Sequence, residues 1–342
     1  MIGHSMNFLA PANDAKRSTS ARRRKPRNRL AVPAILGAAA GAIAVTAFLN
    51  HRLAKTAERS NPPQGRFVCV NGVRLHYIER GTGEALVLLH GNGSIVQYFE
   101  TSGLVELASE KYRVIAFDRP GYGHSSRPRN VIWTPQKQAD LIHDALIALG
   151  VENATVLGHS WSCTIALELA KRYPAFVNGL ILASGYYYPT PRVDVVALSL
   201  PAVPLLGDVV RYTISPLVSR LMWPLMMKTL FGPAPIPKKF DGFPKGLAVR
   251  PSQVRASASE AAMMIPYALL CPPNLAVLEM PVSIVVGGKD RLIHPEKQSG
   301  RLQKENPDQA LLRLAHAGHM VHQTETEAVM GMIDQTARAA CR

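Results

Sequence analysis

The chain has 342 residues, enough for one large α/β domain with attachments. Hydrophobic residues make up 47% of it and charged residues 18%, a balance that excludes a globally disordered protein. The net charge of +15 is unevenly spread: residues 1–59 hold eleven Lys/Arg against Asp14 and Glu58, a balance of +9, and the other 28 basic and 22 acidic residues leave +6. The basic tail runs straight into an apolar stretch, which accounts for its charge better than nucleic acid does, so no nucleic-acid partner is expected.

Residues 1–29 are polar and then basic, and predict a disordered arm. From Leu30 to Leu49 the chain carries no charge, and about 20 apolar residues are what a membrane-spanning helix needs. Pro33 sits near the start, where a missing amide proton costs least. The Arg/Lys block before the run predicts a cytoplasmic N-terminus, with the main domain on the extracytoplasmic (periplasmic) side. A rival reading is a cleaved signal peptide ending at Val45-Thr46-Ala47. The run is long for that, since signal-peptide cores span about 7–15 residues, and an uncleaved signal-anchor is preferred. Residues 50–65 predict a linker ending in Asn61-Pro62-Pro63-Gln64-Gly65.

The folded domain is expected from Arg66. Phe67–Val70 and Val73–Ile78 flank Asn71-Gly72, a dipeptide that favours a tight hairpin turn. Apolar, β-branched runs follow at Ala85–Leu89, Tyr112–Phe117, Ala154–Leu157, Val177–Ala183, Val282–Val286 and Ala310–Leu314, separated by helical patterns. Such runs suit strands buried on both faces, and the alternation predicts an α/β fold with a mostly parallel sheet flanked by helices. The pattern breaks between Tyr186 and Met280, which reads as an inserted helical cap. The core is expected in two parts, 66–185 and 281–342, with the cap over 186–280. Arg255–Tyr267 reads as a helix ended by Pro266. Met222, Met226, Met227, Met263 and Met264 either line an apolar pocket or pack the cap. Four cysteines with no C-x-x-C pair give no metal or redox motif. Cys163 reads as a small core residue, and an exported domain leaves a Cys271–Cys341 disulfide open.

Chemistry concentrates at Gly158-His159-Ser160-Trp161-Ser162. It follows the strand Ala154–Leu157 and precedes the apolar helix Cys163–Arg172, the strand–turn–helix setting of a nucleophile elbow. The turn exposes the Ser160 hydroxyl at the sheet edge, and Ser162 replaces the usual second glycine. A serine needs a base, and with this elbow the order along the chain is serine, acid, histidine. His319, in the loop after the last strand, is the expected base; His316 and His322 suit surface or capping roles better. Asp290, after Val282–Val286, is the expected acid, ahead of Asp308, Glu260 and Asp241. The amides of Asn92 and Trp161 are expected to form the oxyanion hole, and His90 to bond the loop rather than titrate.

Five segments, in order, carry a resemblance: His90-Gly91-Asn92-Gly93, Phe117–Ser125, Gly158–Ser162, Gly287-Gly288-Lys289-Asp290 and Gly318-His319. From about Arg66 to Arg342 the chain resembles the α/β-hydrolase superfamily, in the branch of cofactor-free haloperoxidases, epoxide hydrolases, haloalkane dehalogenases and meta-cleavage-product hydrolases. The resemblance implies the triad Ser160, His319 and Asp290, with Asp118–Ser125 as a structural loop. Epoxide hydrolases and dehalogenases of this branch use an aspartate nucleophile, so Ser160 disfavours both activities, although Asn92 and Trp161 are similar to a dehalogenase halide-binding pair. The expectation is a membrane-anchored serine hydrolase acting on a small to medium hydrophobic acyl substrate, with no metal or organic cofactor. The alternatives are a cofactor-free haloperoxidase (perhydrolase) using the same triad, a catalytically silent binding module, and a basic tether for anionic lipid.

Overall fold

A computed structural model describes residues 31–191 and 193–341; the arm expected over 1–29, and Leu30 of the apolar run, lie outside the described residues. The chain divides into two compact units, residues 1–43 and 44–342. The described part of the first is the start of helix α1 (Ala31–Ser60), whose apolar side chains Ile35, Leu36 and Ile43 are exposed. Among the described residues, α1 is the one unbroken helix long and apolar enough to cross a membrane.

α1 does not stop where the apolar run stops. Residues 50–60, expected as linker, continue the helix to Ser60. Ala54 and Ala57 are good helix formers, and Asn50 gains partners: its Nδ2 donates to Tyr212 O at 3.0 Å and Thr213 O at 2.7 Å. Pro62 and Pro63 then follow, where a helix cannot continue.

The second unit is built on one sheet: β1 (Arg66–Val70), β2 (Val73–Arg80), β3 (Glu84–Leu89), β4 (Tyr112–Phe117), β5 (Ala154–His159), β6 (Val177–Ala183), β7 (Val282–Gly287) and β8 (Ala310–Leu314). The spatial order is β1-β2-β4-β3-β5-β6-β7-β8. β1, β2 and β4 pair antiparallel, and every pair from β4 to β8 is parallel. Asn71 and Gly72 adopt φ of 50° and 75°, the doubly positive turn that a two-residue hairpin requires.

The helices after α1 are, in order, α2 (Gln97–Glu100), α3 (Leu104–Ser109), α4 (Pro135–Ala148), α5 (Ser162–Arg172), α6 (Val193–Ser199), α7 (Leu206–Tyr212), α8 (Ile214–Phe231), α9 (Lys245–Ala248), α10 (Pro251–Leu270), α11 (Ser299–Glu305), α12 (Val321–Thr324) and α13 (Thr326–Ala340). α4 begins as its sequence directs: Thr134 accepts from the Lys137 amide at 3.3 Å, and Pro135 fills the first helical position.

Both faces of the sheet are covered. Val87 and Leu89 point into one buried cluster with residues of α4 and α5; Leu86 and Leu88 point into the other with residues of α3 and α13. This is the two-residue period of a strand buried on both sides.

α6 to α10 form the insertion between β6 and β7. α10 corrects one expectation, because it passes through Pro266 to Leu270. Proline there forfeits one hydrogen bond, and the packing of Ala258, Ala261 and Ala268 outweighs that local preference. The methionines also divide. Met227 packs with Phe231, Phe240 and Phe243, Met263 and Met264 lie against the opposite cluster, and Met222 and Met226 face outward. They do not line one pocket. All four cysteines are free, so Cys271 and Cys341 form no disulfide.

Candidate active site

The sharp corner at residue 160 follows from two local constraints. A Cβ on Gly158 would stand 2.5 Å from Ser162 O, so β5 and α5 meet this closely only with glycine there. Ser160 itself has φ 57°, a left-handed conformation costing a non-glycine residue about 1–3 kcal/mol. Its amide donates to Ala183 O at 2.8 Å, and its carbonyl receives the Cys163 amide at 3.1 Å. Ser162 is more than a small replacement for glycine: its hydroxyl donates to His90 O at 2.5 Å and ties the elbow to the loop after β3.

Asp290 and His319 stand on the loops after neighbouring strands β7 and β8, and they meet. His319 Nδ1 and Asp290 Oδ2 are 2.7 Å apart, both side chains almost fully buried. Asp290 Oδ1 accepts the amides of Leu292 at 2.8 Å and Ile293 at 2.9 Å. With every carboxylate oxygen occupied, the pair assigns the proton to Nδ1 and leaves Nε2 as the basic nitrogen. The His319 amide donates to Leu230 O at 2.9 Å, so the last turn of cap helix α8 braces this loop.

His159 links the elbow to the histidine loop. Its Nε2 donates to His319 O at 3.0 Å, which leaves Nδ1 to accept the Tyr98 hydroxyl at 2.6 Å. Burial, and then the neighbouring His319, hold the His159 pKa well below the usual histidine value, so the ring is neutral. Ser160 Oγ makes no hydrogen bond among the described residues; such contacts are often long in free enzymes and tighten with substrate.

The loop after β3 lies against the elbow: a Cβ on Gly91 would stand 3.1 Å from Ser160 Cβ. Among the described residues, the backbone amides of Asn92 and Trp161 have no protein acceptor. They are free donors beside the Ser160 corner, and an oxyanion hole needs donors of this kind. The Asn92 side chain is fixed, accepting Tyr122 Oη at 2.8 Å and Ser257 Oγ at 2.6 Å. The Trp161 indole is buried, its edge against Tyr267 with ring centroids 5.7 Å apart. His90 bonds Gly91 O at 2.8 Å and accepts the Arg119 amide at 3.1 Å; burial and the Arg119 charge lower its pKa to about 4. It is neutral and structural; the buried His76–Asp118 pair, 2.7 Å apart, is structural too.

Two groups escaped the sequence reading. The first is a buried network in which Arg119 donates to His90 O, Gly91 O, Gln138 and Glu260, and Tyr122 donates to Glu260 at 2.7 Å. Glu260, ranked behind Asp290 as a triad acid, is the sole charge between Arg255 and Glu279, a signal that it is paired in the interior. The second is His322, expected near the surface but fully buried against Tyr98, with centroids 4.0 Å apart. His316 is exposed, as expected. A cavity of about 780 Å³ opens between Tyr186, Tyr188, Thr229, Arg291 and Arg301, and it touches neither Ser160 nor His319. Among the described residues, no three His, Cys, Asp or Glu side chains cluster to hold a metal.

The model of the α/β hydrolase fold family matches residues 84–326. The chain belongs to that family. This α/β hydrolase is similar to haloalkane dehalogenase 2 of Mycobacterium bovis, at 24% identity over 285 residues, 80% of this chain and 94% of that protein. It is also similar to 2-hydroxymuconate semialdehyde hydrolase of a Pseudomonas species, at 35% identity over 145 residues, 41% of this chain and 51% of that protein. Among solved structures, a membrane phospholipase A matches with a TM-score of 0.62 and 21% identity, over 92% of this chain and 98% of that one. An esterase from Thermogutta terrifontis matches with a TM-score of 0.64 and 22% identity, over 81% and 99%. These likenesses show the fold. The relatives are hydrolases, and this α/β hydrolase is an enzyme of that kind.

Proposed function

We propose that the protein is a membrane-anchored serine hydrolase that cleaves a carboxylic ester or related acyl bond. The observation that carries this reading is the buried 2.7 Å bond between His319 and Asp290, on the same sheet edge as the left-handed corner at Ser160. In the proposed reaction, His319 Nε2 takes the Ser160 proton as Oγ attacks the acyl carbon. The Asn92 and Trp161 amides receive the oxyanion. His319 returns the proton to the leaving alkoxide, which departs as an alcohol. Water, deprotonated by the same nitrogen, then releases the acid and restores Ser160.

A serine at position 160 speaks against dehalogenation, despite the dehalogenase relatives. The apolar cap favours a small to medium hydrophobic acyl group. The membrane anchor is residues 30–49; their length, absence of charge and basic flank support a single pass with the N-terminus cytoplasmic. The likeness to a membrane phospholipase A fits an anchored hydrolase. The test is a panel of esters of increasing acyl length, given to the full chain in detergent micelles. Hydrolysis that prefers one range of lengths and vanishes in Ser160→Ala supports the reading; hydrolysis unchanged in Ser160→Ala refutes it.

A further inference from the structure

The surface of the second unit is divided in a way that catalysis does not explain. Among the described residues 28 large hydrophobic side chains are exposed. Seven lie on α1 and fifteen between Val196 and Met226, whereas the hydrolase core exposes only Ile132 and Ile147. A helix on the surface of a soluble domain normally turns charged residues outward. α8 does the reverse: of its 18 residues only Pro216, Met227 and Phe231 are buried, and Ile214, Val218, Leu221 and Leu225 recur every three or four positions on the open side. α7 continues the stripe with Leu205 just before it and Val209 within it.

Charge is sparse on this face, where Lys228 is exposed at the end of the α8 stripe. Between Val195 and Met227 the only charged residues are Asp208, Arg211 and Arg220. Each is engaged within the protein: Arg211 with Asp208 at 2.7 Å, and Arg220 with Asn50 Oδ1 at 3.1 Å. An exposed apolar area this continuous marks a contact with something apolar.

We propose that the outward face of α6 to α8 lies in the interfacial layer of a lipid bilayer, so that the cap is membrane-seated. This rests on the reading of α1 as a membrane anchor, and two features of the fold point to lipid as the occupant. First, Asn50 is the first residue after the uncharged run, at the depth where a helix crossing a bilayer leaves it. Its buried side chain bonds the carbonyls of Tyr212 and Thr213, at the junction of α7 and α8. The cap helices are thereby held at interface depth. Second, the helices are too short or broken to cross. α6 and α7 have 7 residues each, the segments Val195–Ala202 and Leu206–Tyr212 bend by 102°, and α8 spans about 27 Å at 1.5 Å per residue with Pro224 inside it. Short helices with one apolar face lie along an interface rather than through it. The seating reaches the catalytic loop, because the end of α8 accepts the His319 amide through Leu230 O.

The test uses the full chain in proteoliposomes of phosphatidylcholine and phosphatidylglycerol. Cys69, Cys271 and Cys341 are replaced by serine, and buried Cys163, whose thiol pKa burial pushes up to about 12, is kept. A nitroxide is attached in turn at Leu205→Cys, Leu221→Cys and Leu225→Cys, with Ile132→Cys as the reference on the core. Its collisions with molecular oxygen and with a water-soluble nickel chelate are measured. The proposal predicts a higher ratio of oxygen to nickel collisions at 205, 221 and 225 than at 132. Nickel access equal to that at 132 overturns it, because the face is then in water. Exclusion of both reagents also overturns it, because a second copy of the chain then covers the face. Failure of the protein to float with the vesicles overturns it together with the anchor. None of these readings depends on ester turnover, so they are separable from failure of the serine-hydrolase assignment.

Discussion

Arg119 and Glu260 form a fully buried ion pair that joins the hydrolase core to cap helix α10, with Arg119 Nη2 and Glu260 Oε2 2.9 Å apart. Burial raises the Glu260 carboxyl pKa, but the Arg119 charge and hydrogen bonds outweigh it, and the net effect is a lowered value. The same guanidinium holds the carbonyls of His90 and Gly91, so the cap bears on the loop that presents the Asn92 amide. Breaking a buried pair from one side leaves an uncompensated charge. Glu260→Met is predicted to cost about 3–5 kcal/mol, and the double variant Arg119→Met/Glu260→Met less than the two single losses combined. A double-mutant cycle of denaturant melts checks this, and additive losses would mean that the pair is not coupled.

Asp290→Asn keeps the shape of the acid but removes the charge that fixes the His319 tautomer. The fold should survive while kcat falls by about 10⁴-fold, as expected for loss of the acid in a serine triad. Steady-state kinetics with a chromogenic ester, alongside a circular-dichroism melt, separate this from unfolding. A loss below tenfold would remove Asp290 from the triad.

Gly158→Ala places a methyl 2.5 Å from Ser162 O, against backbone that cannot yield cheaply. The elbow must open, and a destabilisation of about 1–3 kcal/mol is predicted, with loss of activity. Ser162→Ala instead removes the 2.5 Å bond to His90 O without a clash, and should cost only about 1 kcal/mol. Equal melting temperatures for the two variants would contradict this account.

Acid should destabilise the protein from about pH 6.5 downward. Burial, with smaller effects of neighbouring positive groups, lowers the pKa of His90, His159 and His322 from the usual 6.5, that of His90 to about 4. The unfolded chain therefore binds protons first. The stability these rings contribute is fully present above pH 6.5 and declines as pH falls toward the folded values, by up to about 1.4 kcal/mol per pH unit for each ring. Urea midpoints at pH 7, 6 and 5 measure the slope, and a flat profile would mean that these rings can ionise in the fold.

Peroxide distinguishes hydrolysis from perhydrolysis at the proposed triad. Hydrolysis predicts release of the free acid at a rate indifferent to peroxide and bromide. Peroxide-dependent bromination of an acceptor would assign the acyl-enzyme to a perhydrolase.

The sheet was readable because each strand is a short β-branched or leucine run closed by a turn, and Asn71-Gly72 marks its own turn. The candidate triad was readable because its residues stand at strand ends with small neighbours. What escaped depends on contacts far apart in sequence. Nothing near Asn50 announces its bond to Thr213, so residues 50–60 resembled a linker. Pro266 signals a helix end that packing overrides. His322 resembles a surface residue until Tyr98, 224 positions earlier, covers it.

The most direct test of the account is labelling of the full-length protein with a fluorophosphonate, followed by mass spectrometry of the modified peptide. The account predicts one adduct, on Ser160, absent from Ser160→Ala and strongly slowed in His319→Ala. No adduct on a folded protein, or an adduct on another serine that persists in Ser160→Ala, would contradict it.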